Sequence, residues 1–264
     1  MHAAASNSLV LTDVSSLKWL AGSREAISHG GFYQVIASEL VRGVHEKQVF
    51  RCLGDRLVVL SEQAHAFRQM DMLEQVSHVL VSLPLPRQYE AIGRYYQGIW
   101  TQRFGRGDLE RAVSLFECAA ESAPPKYQIR AMVSLAASSR HQRDSQAALS
   151  LYCEAGRFAS LNGLYDPYAS VLTPRMVAVI KSEHGDHRGA LALLENLFPL
   201  AHAMRGVLPH VYFDYMNSLA VELCAVGRTE EARNTSQIVL ASPFASAYPE
   251  WRETREEIEL RGWR

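Results

Sequence analysis

The sequence predicts an all-α protein built as a stack of antiparallel helix pairs. Three observations support this fold class. A pattern of small, acidic and aromatic residues recurs along the chain, apolar residues fall at the spacing of amphipathic helices, and glycine or proline marks the ends of the recurring segments. Of the 264 residues, 48% are hydrophobic and 21% are charged, which is typical of a folded globular protein. We therefore expect a helical core with essentially no β-sheet.

The N-terminal segment, residues 1–54, has a helical composition but no clear copy of the recurring pattern. We expect the first residues to fray and the rest of the segment to form a helical cap on the stack. The apolar run from Leu9 to Leu11 is too short for a signal peptide, and no segment reaches the roughly 18 apolar residues of a membrane span. These features predict a cytoplasmic protein with no membrane partner.

The clearest copy of the recurring pattern begins at Gly107. An acidic residue follows it, then Ala112, the aromatic Phe116 and Ala119, and Pro124 closes the segment. Five positions along the chain match the first alanine of this copy, and their intervals are 36, 36, 42 and 42 residues. Each interval is long enough for two helices and two turns. These five marker positions are Val76, Ala112, Ala148, Ala190 and Ala232.

Each marker position lies on an apolar stripe that predicts the second helix of a pair, the B helix. Upstream of each stripe, a second apolar-periodic stretch predicts the first helix, the A helix. The residue expected at the closest crossing of the two helices is small in three pairs, but it is Trp100 in the pair that contains Ala112. The small crossing residues are Ala136, Ala178 and Ala220.

Glycine, proline and aspartate predict where the helices begin and end. Gly107, Gly185 and Gly227 fall at turns between helices, where glycine can adopt a positive φ. Asp166 followed by Pro167 is typical of an N-cap and the first helical position. Two further prolines, Pro174 and Pro199, lie inside predicted helical segments. Each of them predicts a kink, or in the case of Pro174 a second helix start.

Residues 107–124 resemble the second helix of a tetratricopeptide (TPR) repeat, which a proline closes. The resemblance implies a right-handed α–α superhelix, a TPR-like solenoid with about five helix pairs over residues 55–246. Residues 247–264 form a charged final segment, which we expect to be a C-terminal capping helix. Because no Gly/Ser-rich linker interrupts the chain, we predict one continuous domain.

In TPR arrays the A helices line a concave groove that binds extended peptides, and the resemblance places a set of polar residues on that groove. Arginine matches the geometry of a carboxylate, so these residues favour an acidic segment or a C-terminal carboxylate as the ligand. Alternatively, the arginines pair with acidic residues of the next repeat. The predicted peptide-binding residues are His65, Arg68, Arg94, Arg130, Arg140, His141, Arg175 and Asn217, and the same register includes Glu62, Gln97, Thr101, Ser134, Asp214 and Ser218.

The leading hypothesis is a non-catalytic scaffold or adaptor that binds a protein or peptide partner. A second hypothesis is a regulatory module that senses a small molecule or a short peptide in an aromatic-lined pocket. The aromatic residues available for such a pocket are Tyr95, Tyr96, Trp100, Tyr212 and Tyr215.

Other classes of function find little support in the sequence. The 27 basic and 28 acidic residues give a net charge of −1, which does not favour nucleic acid as a partner. No phosphate-binding loop, zinc-protease motif or nucleophile elbow occurs, so we expect no enzymatic activity and no cofactor. The four cysteines are isolated from one another. His184 and His187 flank Asp186 at a predicted turn, which gives too few ligands for us to predict a metal site.

Overall fold

The computed structural model describes residues 47–83, 85–104 and 108–261. This part of the chain contains eleven α-helices, two one-turn 3₁₀ helices and no strand, which confirms the predicted all-α helical repeat. The first 46 residues of the predicted N-terminal cap lie outside the described residues, as do Pro84 and Gly107. The chain divides into two compact units, residues 1–124 and 125–264.

Within its described residues, the first unit contains two A helices and two B helices. Each A helix packs against the B helix that follows it, and the third helix also contacts the first two. These four helices are α1 (Lys47–Ala66), α2 (Met70–Ser82), α3 (Arg87–Phe104) and α4 (Leu109–Ser122).

Over residues 125–261, the second unit contains three helix pairs and a final helix. The three A helices are neighbours, because α5 contacts α7 and α7 contacts α9 in addition to the B helix of each pair. Short 3₁₀ turns, Met204–Gly206 and Ala245–Ala247, follow α8 and α10. The helices are α5 (Pro125–His141), α6 (Ser145–Leu161), α7 (Pro167–Glu183), α8 (His187–Ala203), α9 (Pro209–Ala225), α10 (Thr229–Leu240) and α11 (Glu250–Arg261).

The marker positions of the repeat are core residues of the B helices. All five side chains have an exposed fraction of 0%, and the aromatic residues Phe116 and Tyr152 of the same pattern are equally buried. The predicted crossing residues Ala136, Ala178 and Ala220 are also buried. Small side chains at these positions allow the two helices of a pair to approach closely, which explains why the repeat is readable from the sequence.

Four turns between an A helix and its B helix contain one residue with a positive φ. This residue is Gly185 (φ 81°) and Gly227 (φ 87°) in two turns, but Arg68 (φ 50°) and Arg143 (φ 64°) in the other two. In the Arg143 turn, the Asp144 N–H donates to the Ser139 carbonyl, and the equivalent hydrogen bond closes the other three turns. This bond satisfies a carbonyl at the C-terminal end of each A helix.

Substitutions in these turns are expected to have opposite effects on stability. Arg143→Gly removes the steric cost of a left-handed non-glycine residue, about 1 kcal/mol, although part of this gain is lost to the entropy of the unfolded chain. Gly185→Ala introduces the same cost and is expected to destabilise the protein by about 1 kcal/mol. Urea denaturation measures the free energy of unfolding of both variants. A Gly185→Ala variant more stable than the wild type would contradict the steric cost assigned to the positive φ at this turn.

Aspartate side chains cap several helices. Asp108, Asp144 and Asp186 each accept a hydrogen bond from a backbone N–H three residues later, at the start of α4, α6 and α8. Asp166 caps α7 in the same way, as its position before Pro167 predicted. The helix does not start a second time, because α7 is continuous through Pro174.

The final helix, α11, is charged on its outer side and packs against α9 and α10. Trp251 and Ile258 point into the core, and the Trp251 indole stacks on the Tyr248 ring with a centroid distance of 4.3 Å. This arrangement agrees with a capping helix, although residues 262–264 of the predicted segment lie outside the described residues. Among the described helices, none has the length and apolar character needed to cross a membrane.

Candidate functional site

The A helices of the second unit carry most of the predicted peptide-binding residues. Arg130 and Arg140 lie on α5, Arg175 on α7 and Asn217 on α9. We call the side of α5, α7 and α9 that bears these four residues the A-helix face. Each arginine on it contacts a residue of the next A helix or of the turn before it.

Arg130 is enclosed within the second unit. Its Nε and Nη2 atoms donate to the two carboxylate oxygens of Asp166, both at 3.1 Å, and its exposed fraction is only 6%. Its guanidinium also lies 4.9 Å from the Tyr168 ring centroid. Asp166 is buried and caps α7 at the same time. Arg130 therefore joins two repeats, and the exposed position that the sequence register gave it is wrong.

Arg140 lies further along α5 and forms an ion pair with Glu183 at the end of α7. This pair is more open than the Arg130 pair, with exposed side-chain fractions of 22% and 44%. The Nε atom of Arg140 is buried and has no hydrogen-bond partner. The guanidinium is thus partly accessible, and one of its donors is unused.

Arg175 joins α7 to α9 through two contacts. Its Nη1 atom lies 2.5 Å from an Asp214 carboxylate oxygen, and its Nε donates to the Ser218 hydroxyl at 2.8 Å. Between these two residues, the amide oxygen of Asn217 is buried and accepts no hydrogen bond. A buried polar atom without a partner typically costs about 1–3 kcal/mol. The A-helix face therefore holds an unused acceptor as well as an unused donor.

Tyr152 on α6 lies in the core behind these arginines. Burial raises the pKa of Tyr152 to about 12, while the positive charges of Arg140 and Arg175 act in the opposite direction. Its hydroxyl is buried and has no hydrogen-bond partner. The hydroxyl is therefore a cost to folding at neutral pH.

We expect Tyr152→Phe to leave stability unchanged or to raise it by up to about 1 kcal/mol, because it removes an unsatisfied hydroxyl. The variant should also resist alkaline unfolding better. Tyrosine in the unfolded chain loses its proton near pH 10, whereas native Tyr152 loses it near pH 12. Between these values the unfolded state binds fewer protons, so stability falls as pH rises. Thermal melts from pH 8 to 11.5 test this, and equal pH slopes for both proteins would contradict it.

The other predicted residues lie at different places in the fold. In the first unit, His65 packs edge-on against Tyr96, and Arg68 occupies the turn between α1 and α2.

Arg94 donates to Glu90 at 2.6 Å and contacts the Cys118 sulfur on α4. The Glu90 hydrogen bond raises the pKa of Arg94 further. In the second unit, His141 is exposed at the end of α5.

The aromatic residues predicted to line a pocket are mostly core residues. Tyr95, Tyr96, Tyr212 and Tyr215 are buried, and the Tyr215 hydroxyl donates to the Leu194 carbonyl at 2.7 Å. Their helical spacing reflects packing between helices, and none of these four tyrosines lines the cavity described below. Trp100 differs from them, because it is only half-buried and lines a cavity.

The first unit contains an open cavity of about 340 Å³ between α2, α3 and the start of α4. Its walls combine one acidic side chain, one arginine, one histidine and four neutral polar side chains with the Trp100 indole. Gln97 and Thr101 belong to the predicted groove register, whereas the other lining residues do not. The lining residues are Glu74, Gln75, Ser77, His78, Gln97, Trp100, Thr101 and Arg111.

The histidines at the turn before α8 have protein partners. The Nδ1 atom of His184 lies 2.7 Å from the Ile180 carbonyl, and that of His187 lies 3.0 Å from a Glu222 carboxylate oxygen. In the part of the chain that the structure describes, no group of three or more potential ligands could hold a metal ion.

The sequence register included Asp214, the partner of Arg175, but it missed the acidic partners of Arg130 and Arg140, although the sequence contains a signal for them. Asp166 follows Arg130 by 36 residues, and Glu183 follows Arg140 by 43 residues. Both separations are close to the 36- and 42-residue intervals between marker positions. An acid one repeat after each arginine thus indicates a contact between neighbouring A helices.

Comparisons with known proteins find similarity only at the level of structure. No protein-family model and no curated protein sequence matches the chain. The chain is similar to the crystal structure of a putative kinesin light chain from Podosopora anserina with nearly identical TPR-like repeats, at 17% identity and a TM-score of 0.42. That match covers 74% of this chain and 95% of the other. A point-substituted form of the same protein matches at 14% identity and the same TM-score, over 78% and 98% of the two chains.

Proposed function

We propose that the protein is a non-catalytic interaction scaffold whose A-helix face binds an extended, acidic segment of a partner protein. The observation that carries this proposal is the pair of partly exposed guanidiniums, Arg140 and Arg175, on adjacent A helices. Arginine binds carboxylates through parallel hydrogen bonds, so an extended acidic chain could contact both positions. Of the predicted peptide-binding residues, Arg130 is assigned a structural role instead.

The ion pairs on the face make binding a competition. Carboxylates of the ligand would replace Glu183 at Arg140 and Asp214 at Arg175. One charge-assisted contact is then exchanged for another, so the net gain per arginine is smaller than for an unpaired residue. Binding is therefore expected to be weak to moderate and to depend on salt, because exposed charges are screened over about 8–10 Å at 0.1–0.15 M ionic strength.

Asn217 adds a contact with the backbone of the ligand. Its amide oxygen has no hydrogen-bond partner, while the residue as a whole is only half-buried. A rotation of the side chain would bring the oxygen to the surface, where a backbone N–H of the ligand could donate to it. An extended segment has its N–H groups free for such a contact, whereas a helical segment does not.

The experiment is a fluorescence-anisotropy titration with a library of labelled peptides of about ten residues, containing acidic, neutral and basic members. We expect an acidic preference that weakens between 50 and 300 mM salt. Arg140→Gln combined with Arg175→Gln should lower the affinity of the best acidic peptide by about tenfold or more, since a charge-assisted contact is worth about 1.5–3 kcal/mol. Glu183→Gln should raise that affinity, because it removes the competing carboxylate.

The matched control is Arg157→Gln combined with Arg188→Gln. Both residues are exposed arginines on B helices, so this variant removes the same charge from outside the A-helix face. Unchanged binding in the control and reduced binding in the A-helix variant would support the proposal. Equal losses in both variants would attribute binding to net charge alone, and a library without acidic preference would contradict an acidic partner.

A further inference from the structure

The cavity of the first unit differs from the A-helix face because its two charged side chains, Glu74 and Arg111, form no ion pair with each other within the described residues. Glu74 lines the cavity from α2 and Arg111 lines it from α4. These two helices precede and follow α3 in the sequence, and both pack against it. Neither side chain has an ion-pair partner within residues 47–83, 85–104 and 108–261. On the A-helix face, in contrast, Arg130, Arg140 and Arg175 each bind an acid.

Thr101 also offers an unused hydroxyl to the cavity. Thr101 lines the cavity and has an exposed fraction of only 3%, yet its side chain makes no hydrogen bond within the described residues. Ser77, by comparison, donates to the Glu74 carbonyl at 2.9 Å. The amide of Gln97 lines the cavity one helical turn before Thr101 and is likewise unused within the described chain. A hydroxyl that faces the cavity beside an unused amide is a site at which a polar ligand gains hydrogen bonds.

The combination of groups selects the chemistry of the ligand. A carboxylate and a guanidinium on different walls can bind an ammonium and a carboxylate of the same small molecule. The Trp100 indole supplies an apolar surface and can also attract a cation to its face. A volume of about 340 Å³ lies at the small end of the range for ligand pockets, about 300–1,000 Å³. A nucleotide or a dianion would place negative charge against Glu74.

We propose that this cavity is a second binding site, which takes a small zwitterion of the amino-acid type. Glu74 binds the ammonium group, Arg111 binds the carboxylate, and Gln97 and Thr101 bind the polar atoms between them. The side chain of the ligand lies against Trp100. This inference goes beyond the scaffold function, because every residue of the site belongs to the first unit and the A-helix face belongs to the second.

The experiment is isothermal titration calorimetry of the full chain with the twenty free amino acids and with the unblocked dipeptide Ala-Ala. For the amino acid that binds best, the methyl ester lacks the carboxylate and the N-acetyl form lacks the ammonium. We expect each derivative to bind at least tenfold more weakly than the free amino acid. Glu74→Gln should weaken the free amino acid but not its N-acetyl form, and Arg111→Gln should weaken it but not its methyl ester.

The matched controls are Glu154→Gln and Arg157→Gln, two exposed residues of α6 for which no side-chain partner is found in the described chain. They should leave binding unchanged, and circular dichroism of every variant checks that the fold is intact. The proposal is overturned if no free amino acid or dipeptide binds. It is also overturned if the ester and the N-acetyl form bind as tightly as the parent, or if the control substitutions weaken binding as much as Glu74→Gln. None of these outcomes depends on peptide binding at the A-helix face.

Discussion

Asp166→Ala is expected to destabilise the second unit by about 3–5 kcal/mol, because it leaves the buried guanidinium of Arg130 without its counter-ion. Arg130 has an exposed fraction of 6%, so water cannot replace the lost carboxylate. The substitution also removes the N-cap of α7, which contributes about 1 kcal/mol of the total. Chemical denaturation followed by circular dichroism measures the loss.

Three further variants separate the causes of this effect. Asp166→Asn keeps a capping side chain but removes the charge, so it should retain most of the destabilisation. Replacing both members of the pair, with Arg130→Met and Asp166→Asn, should recover much of the stability because no buried charge remains. Glu183→Ala breaks a partly exposed pair and should cost no more than about 1 kcal/mol. A loss of less than 1 kcal/mol in Asp166→Ala would mean that the pair is open to water.

Trp251→Ala is expected to destabilise the protein by about 3–5 kcal/mol, which is the usual cost of removing a fully buried aromatic side chain. Trp251 anchors α11 to the core and stacks on Tyr248, so its loss leaves a cavity under the final helix. Hydrogen exchange in α11 should accelerate in this variant before exchange elsewhere in the second unit.

The matched control for Trp251 lies on the same helix. Leu260 has an exposed fraction of 71%, and Leu260→Ala should therefore change stability by less than about 0.5 kcal/mol. Trp251→Phe keeps part of the buried area and should fall between the two. Equal effects of Trp251→Ala and Leu260→Ala would show that α11 does not cap the core.

The helix pairs could be predicted from the sequence because the residues at helix crossings are constrained in size. Ala148 and Ala190 recur at the repeat interval because a larger side chain would separate their helices, and both are fully buried. The turn at Arg143 could not be predicted in the same way. There the backbone adopts a positive φ without the glycine that marks the equivalent turn at Gly185.

The polar surfaces were only partly predictable, because a register along one helix does not say which neighbour a side chain meets. Arg130 and Arg140 occupy one helix, yet the first lies in a closed ion pair and the second in a partly open one. The cavity of the first unit combines Glu74 and Arg111 with Trp100, which come from three different helices. A pattern that follows A helices alone cannot find a site whose charged residues lie on B helices.

The measurement that tests the scaffold account most directly is hydrogen exchange of the full chain, with and without a saturating concentration of the best acidic peptide from the library. We expect slower exchange in the C-terminal halves of α5 and α7 and around Asn217 in α9. Exchange in the B helices α6, α8 and α10 should change little. Protection confined to the B helices or to the first unit would contradict binding at the A-helix face, as would an unchanged exchange pattern throughout the second unit.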